Sequence, residues 1–121
     1  MNPEIKHAWL RNLRSGEYKK GKAYLRREEP DGIKFCCLGV LCDMFLQSPE
    51  GRASGAAFQT NEIGLSHFKI GITRHDGYLP PVVQRWAGLT CMNPCNLARV
   101  NDSTETFDDV IAIIEREDLN A

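Results

Sequence analysis

The sequence predicts an α+β domain in which three to four helices pack against one small antiparallel sheet of about three strands. Three observations predict this class. Residues 35–46 are apolar at ten of twelve positions, residues 67–74 alternate apolar and polar side chains, and the chain ends in an amphipathic helix pattern. A length of 121 residues fits one globular domain, so residues 1–121 are predicted to fold as a unit.

The first predicted element is a helix over residues 3–15. Asn2 suits the N-cap because its side-chain oxygen can accept hydrogen bonds from the free amides of the first turn. Pro3 suits the first helical position, and Gly16 suits the exit. One apolar stripe follows the helical period and consists of Ile5, Trp9 and Leu13.

Residues 17–35 predict a β-hairpin. Its arms are Ala23–Glu28 and Ile33–Phe35, and its turn is Pro30-Asp31-Gly32. Proline presets φ, aspartate bonds to the nearby backbone, and glycine tolerates positive φ, so this tripeptide favours a turn.

The apolar segment 35–46 predicts a helix that is buried on all sides, because a half-exposed helix would keep a polar face. It is expected to begin at Cys36 or Cys37. It ends near Ser48-Pro49, since the residue before a proline avoids helical backbone angles.

Residues 49–66 contain three glycines and little apolar bulk. They are predicted to form a mobile loop with one short helical or strand segment at most. The period-2 alternation that follows predicts a strand over His67–Arg74. This strand is expected to pair with the hairpin and complete a three-stranded sheet.

Two shorter helical segments follow. Pro80-Pro81 begins a helix that runs through Trp86 and ends at Gly88. Residues 95–100 are predicted to form a single helical turn.

The last helix has the clearest pattern. Thr106 is the predicted N-cap, and Asp109 then occupies the third helical position, a variant of the capping box. Its apolar stripe consists of Phe107, Val110, Ile111 and Ile114.

Composition and charge disfavour several classes of protein. No apolar run approaches the roughly 20 residues that span a bilayer, and the N-terminus lacks an apolar signal region. A cytosolic protein with five reduced cysteines is therefore expected. The net charge is −1, but residues 1–34 carry nine basic and five acidic side chains, whereas residues 101–121 carry one and seven. This near-neutral total disfavours a general duplex-DNA binder.

Several phrases in the chain resemble a group of small uncharacterised proteins encoded by bacteriophages, prophages and actinobacteria. The most specific phrase is Cys36-Cys37-Leu38-Gly39-Val40-Leu41-Cys42. Weaker ones are Leu13–Tyr18, Leu79–Leu89 and Leu97–Asp102, the last followed by Thr106-Phe107. The resemblance implies no catalytic residue. It implies an accessory factor that binds or blocks a host component, with counteraction of host defence as one such role.

A thiol nucleophile is one candidate site. A helix start lowers a cysteine pKa, so Cys36 or Cys37 could attack a substrate as the thiolate. The base would then be a histidine and the orienting group a neighbouring polar side chain. These supporting candidates are His75 or His67, with Asp76, Asp102 or Asn101. The alternative is that both cysteines are small buried hydrophobic residues.

A structural zinc site is a second candidate. Cys91 and Cys95 have a usable ligand spacing across a turn. The remaining thiols match poorly, because Cys37 and Cys42 are five residues apart and point to different sides of a helix.

A surface for anions is the third candidate and the leading one. It consists of Tyr18, Lys19, Lys20, Lys22, Tyr24, Arg26 and Arg27. Phosphates favour lysine and arginine, and bases favour aromatic faces. The alternative is a charged hairpin edge that resists aggregation. The sequence thus favours a non-enzymatic, cofactor-free protein that sequesters a nucleotide-like ligand or a protein surface, with a cysteine-dependent hydrolase or transferase and a zinc protein as alternatives.

Overall fold

The computed structural model describes residues 1–120 and confirms the α+β class. The helices are α1 (Pro3–Arg14), α2 (Cys37–Gln47), α3 (Pro49–Ser54), α4 (Pro81–Ala87), α5 (Leu97–Asp102) and α6 (Asp108–Arg116). The strands are β1 (Lys19–Lys20), β2 (Arg26–Glu29), β3 (Gly32–Phe35), β4 (Ala57–Thr60), β5 (Ser66–Ile70) and β6 (Thr73–His75). One 3-10 turn, Pro94–Asn96, precedes α5. The difference from the prediction is that the strands form two small sheets.

Helix α2 is the centre of the core, as predicted. Every residue from 35 to 42 is buried, and α1, α3, α4 and α5 all pack against this helix. The indole Nε1 of Trp9 donates to the carbonyl of Cys37 at 2.9 Å, so the largest core side chain is also satisfied as a donor. Each large apolar side chain buried here contributes about 1.5–3 kcal/mol.

A glycine lets α2 approach the segment that leads into β2. A Cβ on Gly39 would lie 1.7 Å from the carbonyl oxygen of Leu25, which is backbone and cannot move aside as a side chain would. The same carbonyl accepts a hydrogen bond from the Cys36 amide at 3.3 Å. This contact sets the distance between the helix and the hairpin.

The first sheet has the strand order β1-β3-β2. Strands β2 and β3 form the predicted hairpin, with Glu29 opposite Gly32. The third strand is β1, which pairs in parallel with β3, and not the segment 67–74. The prediction of that partner was wrong.

The second sheet has the order β4-β5-β6, with both pairs antiparallel. The predicted strand over His67–Arg74 is split here into β5 and β6, because Gly71 takes φ +57° and reverses the chain. Ile72 therefore stands at the hairpin tip and is 99% exposed. A single antiparallel bridge, Arg27 opposite Leu65, joins the two sheets.

The segment 49–66 holds both a helix and a strand. The Ser48 hydroxyl caps α3 by accepting from the Gly51 amide at 3.1 Å, and Gly55 ends that helix at φ +74°. Strand β4 then pairs with β5, so that Phe58 lies opposite Phe68. The prediction of a loop with one short segment missed this pairing, because the partner strand follows the segment in the chain.

The remaining helices agree with the predicted pattern, with one error at a cap. Asn2 caps α1, and α4 ends at Gly88. Thr106 is not the N-cap of α6, because Phe107 occupies that position. The Thr106 hydroxyl accepts from the Asp108 amide at 3.3 Å from one residue further out. The predicted stripe of α6 is buried: Phe107, Val110, Ile111 and Ile114.

Within residues 1–120, none of the helices combines the length and the apolar character that crossing a bilayer requires.

We expect Gly39→Ala to lower the free energy of unfolding by about 3 kcal/mol, since the added methyl group meets the Leu25 backbone and α2 must shift. Urea denaturation would measure the loss. Gly77→Ala is the matched control, because its Cβ would find nothing closer than an oxygen at 3.8 Å. Equal stability of the two variants would contradict the close approach.

Candidate functional site

The lysines of the predicted anion surface are engaged within the chain. The Lys20 ammonium donates to the carbonyls of Asn101 and Thr104, which hold it against α5. Burial and the neighbouring Lys22 charge lower the pKa of Lys20. Lys22 itself pairs with Glu105 at 2.7 Å. The basic first part of the chain therefore contacts the acidic last part, across about 80 residues.

Tyr18 and Lys19 also have intramolecular partners. The Tyr18 hydroxyl donates to Asp43 Oδ2 at 2.6 Å, and Gln47 Nε2 donates to the same oxygen at 2.8 Å. Burial and the Asp43 charge raise the pKa of Tyr18. The Lys19 ammonium donates to the carbonyl of Asp31 and so closes the hairpin turn.

Arg26 is placed between two aromatic rings and does not face solvent as a free cation. Its guanidinium lies 5.9 Å from the Phe35 centroid and 5.6 Å from the Phe58 centroid. It also donates to the hydroxyls of Thr60 and Ser66 at 3.0 and 2.9 Å. Through these contacts Arg26 of the first sheet binds residues of the second sheet and stabilises their packing.

Arg27 and Tyr24 form a pair on the opposite side. The Arg27 guanidinium lies 5.5 Å from the centroid of the Tyr24 ring, in cation–π geometry. No ion pair of Arg27 is found among residues 1–120. Of the seven predicted residues, these two form no side-chain hydrogen bond or ion pair in the described range. Both are half-buried, and the Arg27 Nε is buried without a hydrogen-bond partner.

The buried thiols differ from the expectation of an activated cysteine. Cys36 caps α2 by accepting from the Gly39 amide at 3.4 Å. Burial nevertheless raises the pKa of Cys36 to about 11, and it also raises the pKa values of Cys37 and Cys42. Loss of water around a thiolate outweighs the helix start here, so these thiols stay protonated at neutral pH.

The histidines have other neighbours. His67 Nδ1 is 3.9 Å from Asp76 Oδ2, and His75 pairs with Phe68 across β6 and β5. Within the described chain, no hydrogen bond joins a cysteine to a histidine.

Cys91 and Cys95 are both exposed thiols. In the range 1–120, three or more histidine, cysteine or acidic side chains do not gather at any point that would hold a metal ion. The predicted pair is therefore not accompanied by a third ligand in this conformation.

Asn101 is the polar centre of the structure. Its side chain is fully buried, and its Oδ1 accepts from the Cys37 amide at the start of α2 at 3.0 Å. Its Nδ2 donates to the Gly21 carbonyl at 2.9 Å and to Asp102 Oδ1 at 3.2 Å. Asp102 in turn accepts from the Ala23 amide at 2.9 Å. One side chain thus connects α5, α2 and the chain before β2.

An open cleft of about 580 Å³ lies beside this centre. Its wall includes Ala23, Cys36, Tyr78, Asn96, Arg99 and Asp102. The Tyr78 ring is 51% exposed, and Arg99 is exposed on α5 and forms no ion pair with any part of residues 1–120. An aromatic face and a free cation therefore share one concave surface.

The backbone on one side of the cleft has an unusual conformation. Cys95 and Asn96 are consecutive residues with φ +50° and +55°. Asn93 supports this turn, since its Nδ2 donates to Asn96 Oδ1 at 3.3 Å and its Oδ1 accepts from the Ala98 amide at 3.0 Å.

The sequence did not point to Tyr78 and Arg99 as site residues. They are 21 positions apart and belong to no catalytic or ligand-binding motif; Arg99 occurs only within the Leu97 phrase of the resemblance. The available signal was the polar stretch Asn101-Asp102-Ser103, and the Asn101 side chain does accept from the first amide of a helix. That helix is α2 and not the one that follows.

We expect Asn101→Ala to cost about 3 kcal/mol of folding stability, because the Cys37 amide and the Gly21 carbonyl lose their partner in a buried site. Urea denaturation would measure this loss. Asn12→Ala is the matched control, since the Asn12 side chain forms no hydrogen bond within residues 1–120. Equal midpoints for the two variants would exclude a central role for Asn101.

Alkylation should separate the cysteines into two classes. At pH 8, iodoacetamide is expected to modify Cys91 and Cys95 in native protein and to spare Cys36, Cys37 and Cys42, which are buried and protonated. Peptide mass spectrometry would count the labels, and denatured protein should carry five. Rapid labelling of Cys36 in the native state would favour the cysteine-dependent alternative.

The same thiols give stability a definite pH dependence. Their folded pKa values lie above the ordinary value of 9.0, so the unfolded chain releases these protons first. The free energy of unfolding should therefore hold below pH 9 and fall as the pH rises towards 11.

Comparison with known proteins assigns the chain to a family. No curated protein matches the chain, and no solved structure does. One family model, described as "Domain of unknown function (DUF8296)", matches residues 1–118. Because this match spans nearly the whole sequence, the chain belongs to the DUF8296 family.

Proposed function

We propose that this protein is a non-enzymatic binding protein that holds a small anionic, nucleotide-like ligand in the cleft beside α5. The proposal rests on one observation: the half-exposed Tyr78 ring and the Arg99 guanidinium, which has no ion-pair partner within residues 1–120, line the same concave surface. Arginine recognises phosphate oxygens through a planar fork of donors. An aromatic ring offers a base its face for stacking.

The size and polarity of the cleft fit such a ligand. A volume of about 580 Å³ lies within the range of about 300–1,000 Å³ that is typical of small-molecule sites. The Asp102 carboxylate on the same wall can accept from a sugar hydroxyl or an exocyclic amine of the ligand. The ligand's phosphate would contact Arg99, its base would stack on Tyr78, and its hydroxyl or amine would donate to Asp102.

The cleft is better supported than the segment 18–27 as the place of contact. The charges of Lys20, Lys22 and Arg26 are already used within the fold. A ligand that recruited them would have to break these contacts. Arg99 requires no such exchange, so its charge is available at lower cost.

The biological setting is proposed from the resemblance to phage and prophage proteins, which rests on the phrase Cys36–Cys42. In this proposal the protein acts in the cytoplasm of the host cell. It sequesters a host nucleotide and so counteracts a defence response that depends on that nucleotide. A protein of this kind acts by keeping the nucleotide bound and does not need to catalyse a reaction.

A thermal-shift screen tests the proposal. Purine nucleoside monophosphates, triphosphates and cyclic nucleotides would be added to the wild-type protein, and at least one is expected to raise Tm. A ligand at 100 times its Kd adds about 2.7 kcal/mol to folding stability, which is several degrees for a domain of this size.

Variants then place the ligand. Arg99→Glu and Tyr78→Ala should each weaken binding at least about tenfold by titration calorimetry, which corresponds to about 1.4 kcal/mol. Arg85→Glu is the control, because it makes the same charge change at an exposed arginine in the last turn of α4. The proposal is contradicted if no nucleotide shifts Tm, or if Arg99→Glu binds as tightly as Arg85→Glu.

A further inference from the structure

The outer face of the second sheet is basic. In β5, Phe68 is buried while His67 and Lys69 are half-exposed, so alternate side chains point inward and outward. Register places Lys69 directly opposite Arg74 of β6. Side chains opposite one another in an antiparallel pair share a face, so these two cations stand side by side on the outside.

The bridge between the sheets extends this face. Arg27 lies opposite Leu65. Leu65 precedes His67 by two residues and Lys69 by four, so all three side chains point to the same face of the sheet. Arg27 therefore lies on the same side; it is half-buried, its Nε has no hydrogen-bond partner, and its guanidinium lies against the Tyr24 ring. The basic face consists of Tyr24, Arg27, His67, Lys69 and Arg74.

These charges are not neutralised by the chain itself. Across residues 1–120, no acidic side chain forms an ion pair with Arg27, Lys69 or Arg74. The neighbouring lysine on β3 shows the contrast, since Lys34 contacts both Glu29 and Asp31 at 3.3 Å. His67 has one acidic neighbour, Asp76, at 3.9 Å.

Like charges placed opposite each other on neighbouring strands destabilise a sheet. Lys69 and Arg74 are held in this arrangement by the register. A bridging anion would remove their repulsion. The pair is therefore suited to an anionic partner that spans adjacent strands.

We propose that the basic face binds the phosphate backbone of single-stranded nucleic acid. Arg27 and Arg74 belong to edge strands, but the cationic side chains project from the face of the sheets. The partner therefore contacts side chains and does not add a β-strand. The partner recognised in this way carries regularly spaced negative charges, and the phosphates of a nucleic-acid strand have such a spacing. The half-exposed Tyr24 ring, which already packs against the Arg27 guanidinium, would stack with a base through its remaining exposed surface.

This inference goes beyond the proposed function. The proposed binding surface lies on the sheets and not in the cleft. Its ligand is a polymer, whereas the ligand of the cleft is a small molecule. Its residues are separate from Tyr78 and Arg99, so the two proposals are tested by different variants.

Fluorescence anisotropy with a labelled 15-nucleotide oligo(dT) at 50 mM salt tests it. Wild-type protein is expected to bind, and Lys69→Glu/Arg74→Glu should weaken binding at least about tenfold. Lys6→Glu/Arg11→Glu is the matched control. It reverses one half-exposed lysine and one exposed arginine on α1, with the same change in net charge, and should remain within about threefold of wild type.

A milder variant covers the case in which charge reversal disturbs the sheet. Lys69→Ala/Arg74→Ala should reduce the slope of log K against log salt by about 1.4, since each phosphate contact on a single strand contributes about 0.7. An unchanged slope would count against phosphate contact at these residues.

Three outcomes would overturn the proposal. The first is the absence of oligo(dT) binding by the wild type. The second is equal weakening by the sheet variant and the α1 variant, which would indicate a general charge effect. The third is displacement of the oligonucleotide by poly-glutamate at equal charge concentration, which would assign the face to an acidic polypeptide.

Discussion

The fold depends on how the start of α2 is held. Its first amide bonds to the buried Asn101 side chain, while Cys36 caps the Gly39 amide from within the turn. Asn101 also reaches the Gly21 carbonyl. Helices and hairpin are thus joined at one point in a dry interior, where a hydrogen bond lost on one side leaves a costly unpaired group on the other.

Local pattern was sufficient for the longer helices but not for α3, which lies in the segment predicted as a loop. Apolar periodicity, proline and glycine located α1, α2, α4 and α6 because these signals lie within each segment. Sheet topology was less accessible. The strand β1 pairs in parallel with β3, fifteen residues away, and β4 depends on a partner that follows it. Two-residue and four-residue strands carry too little periodicity to identify their partners.

The candidate site was harder to predict for a related reason. A run of basic residues indicates charge but not where each charge is used, and Lys22 finds Glu105 only in the folded chain. Tyr78 and Arg99 had no local signal, since their significance is that they border one cleft. The buried cysteines follow the same rule: their protonation depends on burial, which the helix start alone does not reveal.

The left-handed turn at Cys95 and Asn96 has a consequence for recognition. Two non-glycine residues in this conformation each cost of the order of 1 kcal/mol or more, and the hydrogen bonds of Asn93 hold them in place. The wall of the cleft is therefore preorganised: its conformational entropy is already lost on folding. A ligand would meet a rigid wall of the cleft, and its association should proceed without a slow rearrangement of the protein.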